Sequence, residues 1–270
     1  MLTERSGRIR EARRLRRRAA RDKAALFLAE GPQAVREALN EAGHARPGLV
    51  VEIFASASAA SRHSGLLDDA ALARVPVHVA DDAAVASLSE TVTPQGLVAV
   101  CRLLTVPLAE AFESRPALVA VLVEVRDPGN AGTVIRCADA AGADAVILAG
   151  DSVDLHGGKC VRASAGSVFH LPVVAGVAVD HAVVVLRQQG LSVLAADGAA
   201  PTDLDEAADT GLLAGPTAWL FGNEARGLPA AVVEQADQAV RVPIHGRAES
   251  LNLAAAAAVC LYASARAHHR

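Results

Sequence analysis

A near-continuous apolar run at residues 117–125 sets the fold class of the second half of this chain. A strand covered by helices on both faces of a parallel sheet is apolar throughout, whereas a strand with one solvent face alternates. Further strands are predicted at 144–149, 173–174, 191–196, 217–221 and 239–242, with helices between them at 132–142, 159–168 and 178–190. This alternation predicts an α/β domain with a parallel sheet, and its last element is a long helix that begins near Ser250.

A smaller alternating α/β unit is predicted ahead of that domain. It contains a basic helix before residue 26, strands at 26–29, 49–55, 75–79 and 96–102, and helices at 33–42, 59–73 and 81–88. Residues 103–116 interrupt the pattern with Pro107 and Pro116, as a linker does. We therefore expect one domain at 1–102, a linker at 103–116 and a second domain at 117–270.

Positive charge is concentrated in the first 23 residues, which carry a formal charge of +7. Because the whole chain carries −4, the remaining residues sum to −11. A basic arm on an acidic body favours a polyanionic partner, and a solvated, partly helical tail is the alternative. The arginines expected to contact RNA are Arg8, Arg10, Arg13, Arg14, Arg17 and Arg21. Aromatic residues make up only 3% of the chain, which disfavours binding of single strands by aromatic stacking.

The composition also bears on location and metal chemistry. Mean hydropathy is +0.29, but the longest apolar run, residues 253–263, is too short to span a bilayer. The basic N-terminus is not followed by the apolar segment of a secretory signal, so we expect a soluble cytoplasmic protein without a membrane partner. The cysteines lack metal-ligand spacing and are expected to be buried, reduced thiols without a metal: Cys101, Cys137, Cys160 and Cys260.

Three segments rich in glycine and polar residues each follow or begin at a predicted strand end. They are residues 124–136, 219–229 and 242–253. Ligands of open α/β sheets bind at the carboxyl ends of strands, so the three segments are expected to line one site. Simpler interpretations stay open at this point, and one of them makes Asn130 a plain helix cap. Arg136 lies near a positive helix N-terminus and needs an anion, either Asp127 or Asp139 or a ligand phosphate.

Taken in order, the three segments resemble the SpoU (TrmH) family of RNA ribose 2′-O-methyltransferases in the SPOUT superfamily. The matching residues are Asn130-x-Gly132-x-x-x-Arg136, then Gly222-x-Glu224-x-x-Gly227-Leu228, then Pro243-x-x-Gly246-x-x-x-Ser250-Leu251-Asn252. The N-terminal unit is similar to the small L30e-like substrate-binding domain of many members. The resemblance implies an α/β C-terminal domain threaded into a trefoil knot, and a homodimer whose subunits share the active site.

The resemblance also implies a reaction, which is methyl transfer from S-adenosylmethionine to a ribose 2′-hydroxyl of RNA without a metal. The cofactor-binding residues it implies are Leu194, Gly222, Val242 and Leu251, and the catalytic residues are Arg136, Asn130, Glu224, Ser250 and Asn252. Arg136 acts either as a general base or as a cation that anchors phosphate and stabilises the developing alkoxide. The second role is physically easier, because a guanidinium pKa exceeds about 12.

Several alternatives stay open from the sequence. Large-subunit (23S) ribosomal RNA is expected as the substrate ahead of transfer RNA, because family members with such an N-terminal domain commonly act there. A ribosome-associated RNA-binding protein without catalysis is a second class, which the intact motif residues disfavour. A nicotinamide-dependent Rossmann enzyme is disfavoured because the glycine fingerprint G-x-G-x-x-G is missing. Two purposes of the methylation stay open, housekeeping modification of RNA and self-protection against a ribosome-targeting antibiotic.

Overall fold

The computed structural model describes residues 1–112 and 115–269. By its internal contacts the chain forms two compact units. The first unit joins Met1–Leu104 to Asp154–His170, and the second joins Thr105–Val153 to Leu171–Arg270. This division differs from the sequence-based boundaries in two places. The predicted linker at 103–116 is divided after Leu104, and residues 154–170 pack with the first unit. The reason is apolar contact, since the buried ring of Phe169 stacks on the buried ring of Phe27 with centroids 6.1 Å apart.

The elements are named in chain order. The helices are α1 (Gly7–Arg14), α2 (Arg18–Ala24), α3 (Pro32–Gly43), α4 (Ala57–Arg62), α5 (Ser64–Leu72), α6 (Asp82–Ala86), α7 (Pro128–Ala140), α8 (Gly158–Ala163), α9 (Val179–Gln188), α10 (Leu204–Asp209), α11 (Ala230–Val233) and α12 (Leu253–His268). The strands are β1 (Leu26–Glu30), β2 (Val50–Ser56), β3 (Val77–Ala80), β4 (Leu97–Arg102), β5 (Leu118–Val123), β6 (Ala145–Ala149), β7 (Val173–Val177), β8 (Ser192–Ala196), β9 (Thr202–Asp203), β10 (Thr217–Phe221) and β11 (Gln238–Arg241).

The first unit contains a four-stranded mixed sheet in the order β1-β4-β2-β3. Strand β4 pairs antiparallel with β1 and with β2, whereas β2 and β3 are parallel. Helix α1 closes one side of this sheet with apolar residues at every third position, which lie in the same core cluster as Phe54 and Val98. These positions are Ile9, Ala12 and Leu15. The basic arm is therefore a folded part of the unit and not a solvated tail.

The second unit contains a seven-stranded sheet in the order β7-β6-β5-β10-β8-β11-β9, and all its pairings are parallel. The central strands β5 and β10 are buried along their whole length, as the apolar run at 117–125 predicts. Because the strands are parallel, their carboxyl ends lie at one edge. The segments 124–136 and 219–229 and the residues after β11 therefore start from the same edge of the sheet.

Helix α12 lies against α7, α10 and the strands β5 and β10. Its alanines Ala254 and Ala257 are buried, and a small side chain lets neighbouring backbone come close. The indole Nε1 of Trp219 in β10 donates to Ser264 Oγ at 2.9 Å, which satisfies both polar groups inside the core. The alanine-rich sequence therefore serves close packing here as well as helix propensity.

Each predicted strand is present, but several helix boundaries are different. Helix α7 begins at Pro128 rather than near Gly132, because the Asp127 carboxylate caps it by accepting from the Asn130 N–H at 2.8 Å. Helix α12 begins at Leu253 rather than near Ser250, because Asn252 is its cap. The predicted helix at 59–73 is two helices, separated at His63, and the basic helix is likewise split into α1 and α2.

The prediction that the cysteines are buried holds for three of the four residues. Cys101, Cys160 and Cys260 are buried cysteines, and burial raises the pKa of Cys260 to about 12. Cys137 on α7 is only partly buried, which corrects the expectation that all four are core residues. Across the described residues, no helix has the length and apolar character needed to cross a bilayer.

Candidate active site

A cavity of about 610 Å³ opens at the carboxyl edge of the seven-stranded sheet. Its walls are the residues that follow β8, β10 and β11 and the segment that leads into α12. Of the predicted cofactor residues, Gly222, Val242 and Leu251 line it. Leu194 does not belong to the described lining, because it is fully buried inside β8 between β10 and β11. The same strand reaches the cavity two residues later, at Ala196.

Glu224 is the hub that joins the loop after β10 to the loop after β5. Its Oε2 accepts from the backbone N–H of Arg126 at 3.2 Å. Its Oε1 accepts from the backbone N–H of Asp127 at 3.1 Å and from the Asn130 Nδ2 at 3.2 Å. Burial alone would raise the pKa of Glu224, but a hydrogen bond from its own backbone, together with those from Asn130, Arg126 and Asp127, outweighs it and holds the pKa below its usual range. Glu224 is therefore an ionised clamp and not a proton donor at neutral pH.

Asn130 extends this network to the third motif. Its Oδ1 accepts from Asn252 Nδ2 at 3.1 Å, and Asn252 Oδ1 caps α12 by accepting from the Ala254 N–H at 2.9 Å. Asn130 is not itself the helix cap, since Asp127 has that role. The three segments that the sequence singles out are thus joined by side-chain hydrogen bonds through Glu224, Asn130 and Asn252.

Gly222 is required by the loop it begins. The backbone of Asn223 and Gly227 exchanges two hydrogen bonds, of 3.0 and 2.8 Å, so the loop folds back on itself. A Cβ on Gly222 would lie 2.2 Å from the carbonyl carbon of Gly227, a distance that no side chain tolerates. The Asn223 side chain then donates to Glu124 O at 2.9 Å and fastens this loop to the end of β5. Loop closure is a second reason for glycine, in addition to close approach to a ligand.

Two further predicted catalytic residues occupy different positions. Ser250 lines the cavity in an exposed segment and is not a helix cap. Arg136 is exposed on α7 and is not among the described residues that line the cavity of its own chain. It lies six positions beyond Asn130, which corresponds to about 9 Å along the helix and a face rotated by about 240°. Arg136 of the same chain therefore lies on a different face of α7 from Asn130.

The lining of the cavity suits S-adenosylmethionine, which carries a cationic sulfonium, an ammonium and one carboxylate. The carboxylates of Asp197, Glu224 and Glu249 line the cavity. The described cation beside them, Arg241, already donates to Ala200 O at 2.8 Å and to Asp203 Oδ2 at 3.2 Å. An acidic cavity of this volume is within the range of about 300–1,000 Å³ for small-ligand sites and fits a cationic cofactor. Asp197 and Glu249 were not among the residues predicted from the sequence, although Asp197 follows β8 and Glu249 precedes Ser250.

The predicted RNA-contacting arginines fall into three groups in the first unit. One exposed side of α1 and the turn after it carries what we call the arginine stripe: Arg10, Arg13, Arg14 and Arg17. Arg8 is half exposed and pairs with Glu52 at 2.8 Å. Arg21 is buried and donates to Leu15 O at 2.8 Å and to the Asp154 carboxylate. Arg21 therefore holds the fold together, and we remove it from the residues predicted to contact RNA.

Comparison with known proteins agrees with this geometry. Residues 117–262 match the model of the SpoU rRNA methylase family, and residues 7–99 match that of the MRM3-like substrate binding domain. The chain is 34% identical over 257 residues to the 23S rRNA (guanosine(2553)-2′-O)-methyltransferase RlmP of Bacillus subtilis (strain 168), with 94% of each chain covered.

Solved structures extend the similarity to the fold. The AdoMet-bound rRNA methyltransferase from Sinorhizobium meliloti has a TM-score of 0.80 and 28% identity, and 97% of this chain and 95% of that chain are covered. The SpoU methyltransferase AviRb from Streptomyces viridochromogenes, in complex with AdoMet, has a TM-score of 0.81 and 29% identity, and 97% and 98% are covered.

Fold, cavity and motif network together define an S-adenosylmethionine-dependent RNA 2′-O-methyltransferase. The chain belongs to the SpoU rRNA methylase family. The predicted family, α/β fold class, enzyme class and cofactor are thereby confirmed. The trefoil knot, the homodimer, the domain boundaries and the roles of the individual site residues stay predictions.

Proposed function

We propose that this enzyme methylates a ribose 2′-hydroxyl in 23S ribosomal RNA, which would place it in the cytoplasm. The observation that carries the proposal is the side-chain network Glu224–Asn130–Asn252, which fixes three strand-end segments beside a cavity that suits the cofactor. The choice of ribosomal over transfer RNA is supported by the relative RlmP, whose name gives 23S rRNA guanosine as its substrate and which aligns over 94% of this chain.

The cofactor would be held by Gly222, Val242 and Leu251, with Asp197 and Glu249 facing its positive charges. When bound, it supplies a methyl group that is already activated on a sulfonium. The protein then has to hold the ribose in line with that methyl while the hydroxyl proton passes to solvent at this exposed edge of the sheet. Correct positioning of this kind contributes roughly 7–11 kcal/mol to lowering a barrier.

Asn130 and Asn252 would orient the ribose, with Ser250 beside them. The amides of Asn130 and Asn252 are held in a fixed orientation because each is bonded to a neighbour on another element. Glu224 would act through Asn130, since its oxygens are occupied by donors of the protein. An amide whose orientation is fixed in advance loses little entropy when the sugar arrives.

Arg136 would complete the site from a second copy of the chain. In this chain it is exposed and lies on a different face of α7 from Asn130. Helix α12, which packs against α7, carries exposed apolar residues, with Val259 at 42% and Tyr262 at 53% exposure, and Tyr262 donates to Ala140 O of α7. A homodimer through α7 and α12 would cover these residues and bring Arg136 to the partner's cavity, where its cation stabilises the developing alkoxide.

The direct test is incubation with methyl-labelled S-adenosylmethionine and unmodified 23S ribosomal RNA or transfer RNA. We expect label only in the ribosomal RNA, at one nucleotide whose 3′ phosphodiester resists alkaline cleavage. Label in transfer RNA alone would refute the ribosomal assignment. Cofactor binding without transfer to either RNA would support a protein that binds RNA but has lost catalysis.

A further inference from the structure

We propose that Asp197 and Glu249 make the cofactor cavity select its ligand by the charge on sulfur, so that S-adenosylmethionine binds and S-adenosylhomocysteine is released. The inference rests on the proposed function, because it takes the cavity beside the Glu224–Asn130–Asn252 network as the cofactor site. It adds two residues that determine ligand specificity and a reason why the product leaves.

Methyl transfer changes the charge of the cofactor more than its shape. The bond between sulfur and the methyl carbon breaks and its electron pair stays on sulfur, while the carbon forms a bond to the ribose oxygen and the hydroxyl proton passes to solvent. The sulfonium thereby becomes a neutral thioether, and the ligand loses one positive charge and one methyl group. The adenosine, the ammonium and the carboxylate are the same before and after. A site that interacts with the charge on sulfur therefore binds the two forms with different affinities.

The cavity has a surplus of negative charge. Among the described residues that line it, the carboxylates are Asp197, Glu224 and Glu249, and the one cation is Arg241. Arg241 is already paired with Asp203 at 3.2 Å, and the oxygens of Glu224 accept from donors of the protein. Asp197 and Glu249 therefore remain as the carboxylates that can interact with a cationic ligand.

Asp197 is held where β8 ends at the cavity. Its backbone N–H donates to Val240 O at 3.1 Å, which ties the residue to β11. Its Oδ1 accepts from the Ala199 N–H at 3.0 Å, whereas its Oδ2 forms no hydrogen bond within residues 1–112 and 115–269. One oxygen therefore sets the orientation of the carboxylate, and the other is available to a ligand cation.

Glu249 belongs to a different wall of the cavity. It lies in the exposed segment between β11 and α12, directly before Ser250 and Leu251, which also line the cavity. In the part of the chain that the structure describes, its carboxylate forms neither an ion pair nor a hydrogen bond, and the exposed Arg247 of the same segment is outside the lining. The charge of Glu249 is therefore balanced by solvent or by a ligand in the cavity.

Solvent limits the size of this discrimination. The cavity is open at the edge of the sheet, and a solvent-exposed ion pair changes an equilibrium constant by up to about fivefold. Because Asp197 and Glu249 act on the same cation, we expect about tenfold from the two together. The ratio of the two ligand affinities isolates this contribution, since the rest of the ligand is common to both. Added salt screens the charges, so the ratio should fall as ionic strength rises.

The test is isothermal titration calorimetry of the full-length protein with S-adenosylmethionine and with S-adenosylhomocysteine. The double variant Asp197→Asn and Glu249→Gln keeps side-chain size and removes both charges. We expect the ratio of the two affinities to fall about tenfold in this variant and to lose most of its dependence on salt. The matched control Asp205→Asn with Glu206→Gln removes the same charge from the exposed first turn of α10, outside the described lining, and should leave the ratio unchanged.

Sinefungin separates the effect of the charge from that of the methyl group, because a carbon that carries a protonated amine replaces its methylated sulfonium. We expect the double variant to weaken the binding of sinefungin and of S-adenosylmethionine by similar factors. A ratio equal to that of the wild type, or a sinefungin affinity that changes only as much as that of S-adenosylhomocysteine, overturns the proposal. If the double variant binds neither natural ligand, the single variants Asp197→Asn and Glu249→Gln decide by the same ratio.

Failure of the proposed function is observed separately, because the titration contains no RNA. It appears as an enzyme that binds S-adenosylmethionine but leaves ribosomal RNA without label.

Discussion

Replacing Glu224 by Gln tests whether one carboxylate holds the motif segments together. The carboxylate accepts hydrogen bonds from Arg126 N–H, Asp127 N–H and the Asn130 amide, at 3.1–3.2 Å. Glutamine keeps the size but has one acceptor oxygen and one NH₂, so at least one donor loses its acceptor. A hydrogen bond to a charged group contributes about 1.5–3 kcal/mol and a neutral one about 1 kcal/mol. Because the site is exposed to solvent, we expect a local loss of about 1–2 kcal/mol.

Hydrogen exchange measured by mass spectrometry reports this loss where it occurs. A local loss of about 1–2 kcal/mol raises exchange of the backbone amides at 126–131 about five- to thirtyfold. The control Glu234→Gln changes an exposed carboxylate at the end of α11 in the same unit and should leave that peptide unchanged. Equal protection of residues 126–131 in the wild type and in Glu224→Gln would refute the clamp.

The same comparison has a defined dependence on pH. Burial alone would raise the pKa of Glu224, but hydrogen bonds including those from Asn130, Arg126 and Asp127 hold it below its usual range. The ionised form therefore stabilises the folded loop fully above the unfolded pKa of about 4.3, and this contribution is lost as pH falls through the lower folded pKa. After correction for intrinsic exchange, the difference between wild type and Glu224→Gln should shrink over that acidic range. A difference that is constant down to strong acid would exclude the charge as its cause.

Three further predictions concern the site and the fold. Arg136→Ala alone should abolish methyl transfer and leave cofactor binding, measured by calorimetry, unchanged. When this variant is mixed in equal amounts with the cavity variant Leu251→Arg, the mixture should recover about a quarter of wild-type activity. Half of randomly formed dimers contain one copy of each variant, and each such dimer has one intact site out of two. No recovery would place Arg136 in the site of its own chain. Gly222→Ala should weaken cofactor binding at least about tenfold and lower the free energy of unfolding by about 1–3 kcal/mol, because the added Cβ forces the loop apart. A cofactor affinity equal to that of the wild type, measured by calorimetry, would contradict this. Arg21→Ala should lower the free energy of unfolding, measured in urea, by about 3 kcal/mol, because it leaves the Asp154 carboxylate without its cation. The double variant Arg21→Ala with Asp154→Asn should lower this free energy by less. Additive costs would refute that coupling.

The sheet of the second unit was predictable because burial on both faces leaves a direct mark on composition. The apolar run at 117–125 became β5, and its neighbours followed from the alternation of strands and helices. The meeting of the three motifs was predictable for a related reason, since parallel strands place their carboxyl ends at one edge. Short elements such as β9 and α10 were missed, because two to six residues carry too little periodicity to distinguish them from turns.

The partner of each site residue could not be predicted in the same way. Glu224 bonds to backbone N–H groups at positions 126 and 127, and nothing in side-chain chemistry marks those amides. The helix starts have a similar cause, since Asp127 and Asn252 are caps only because their side chains reach the free N–H groups of α7 and α12. Ser250 is as good a cap as Asn252 by residue type, so which of the two begins α12 depends on geometry.

The basic arm shows where a stricter use of periodicity separates structure from binding. A count of charges treats Arg21 and Arg13 alike. The spacing of Ile9, Ala12 and Leu15 assigns one side of α1 to the core. The arginine stripe, at positions 10, 13, 14 and 17, has the helical spacing i, i+3, i+4 and i+7 and lies on the other side. Arg21 lies beyond that helix, and its partner Asp154 is 133 positions away in the chain, so no local pattern reveals that it is buried. Net charge therefore predicts that this arm meets a polyanion, periodicity selects the arginines that can do so, and only the tertiary contact with Asp154 identifies the one that cannot.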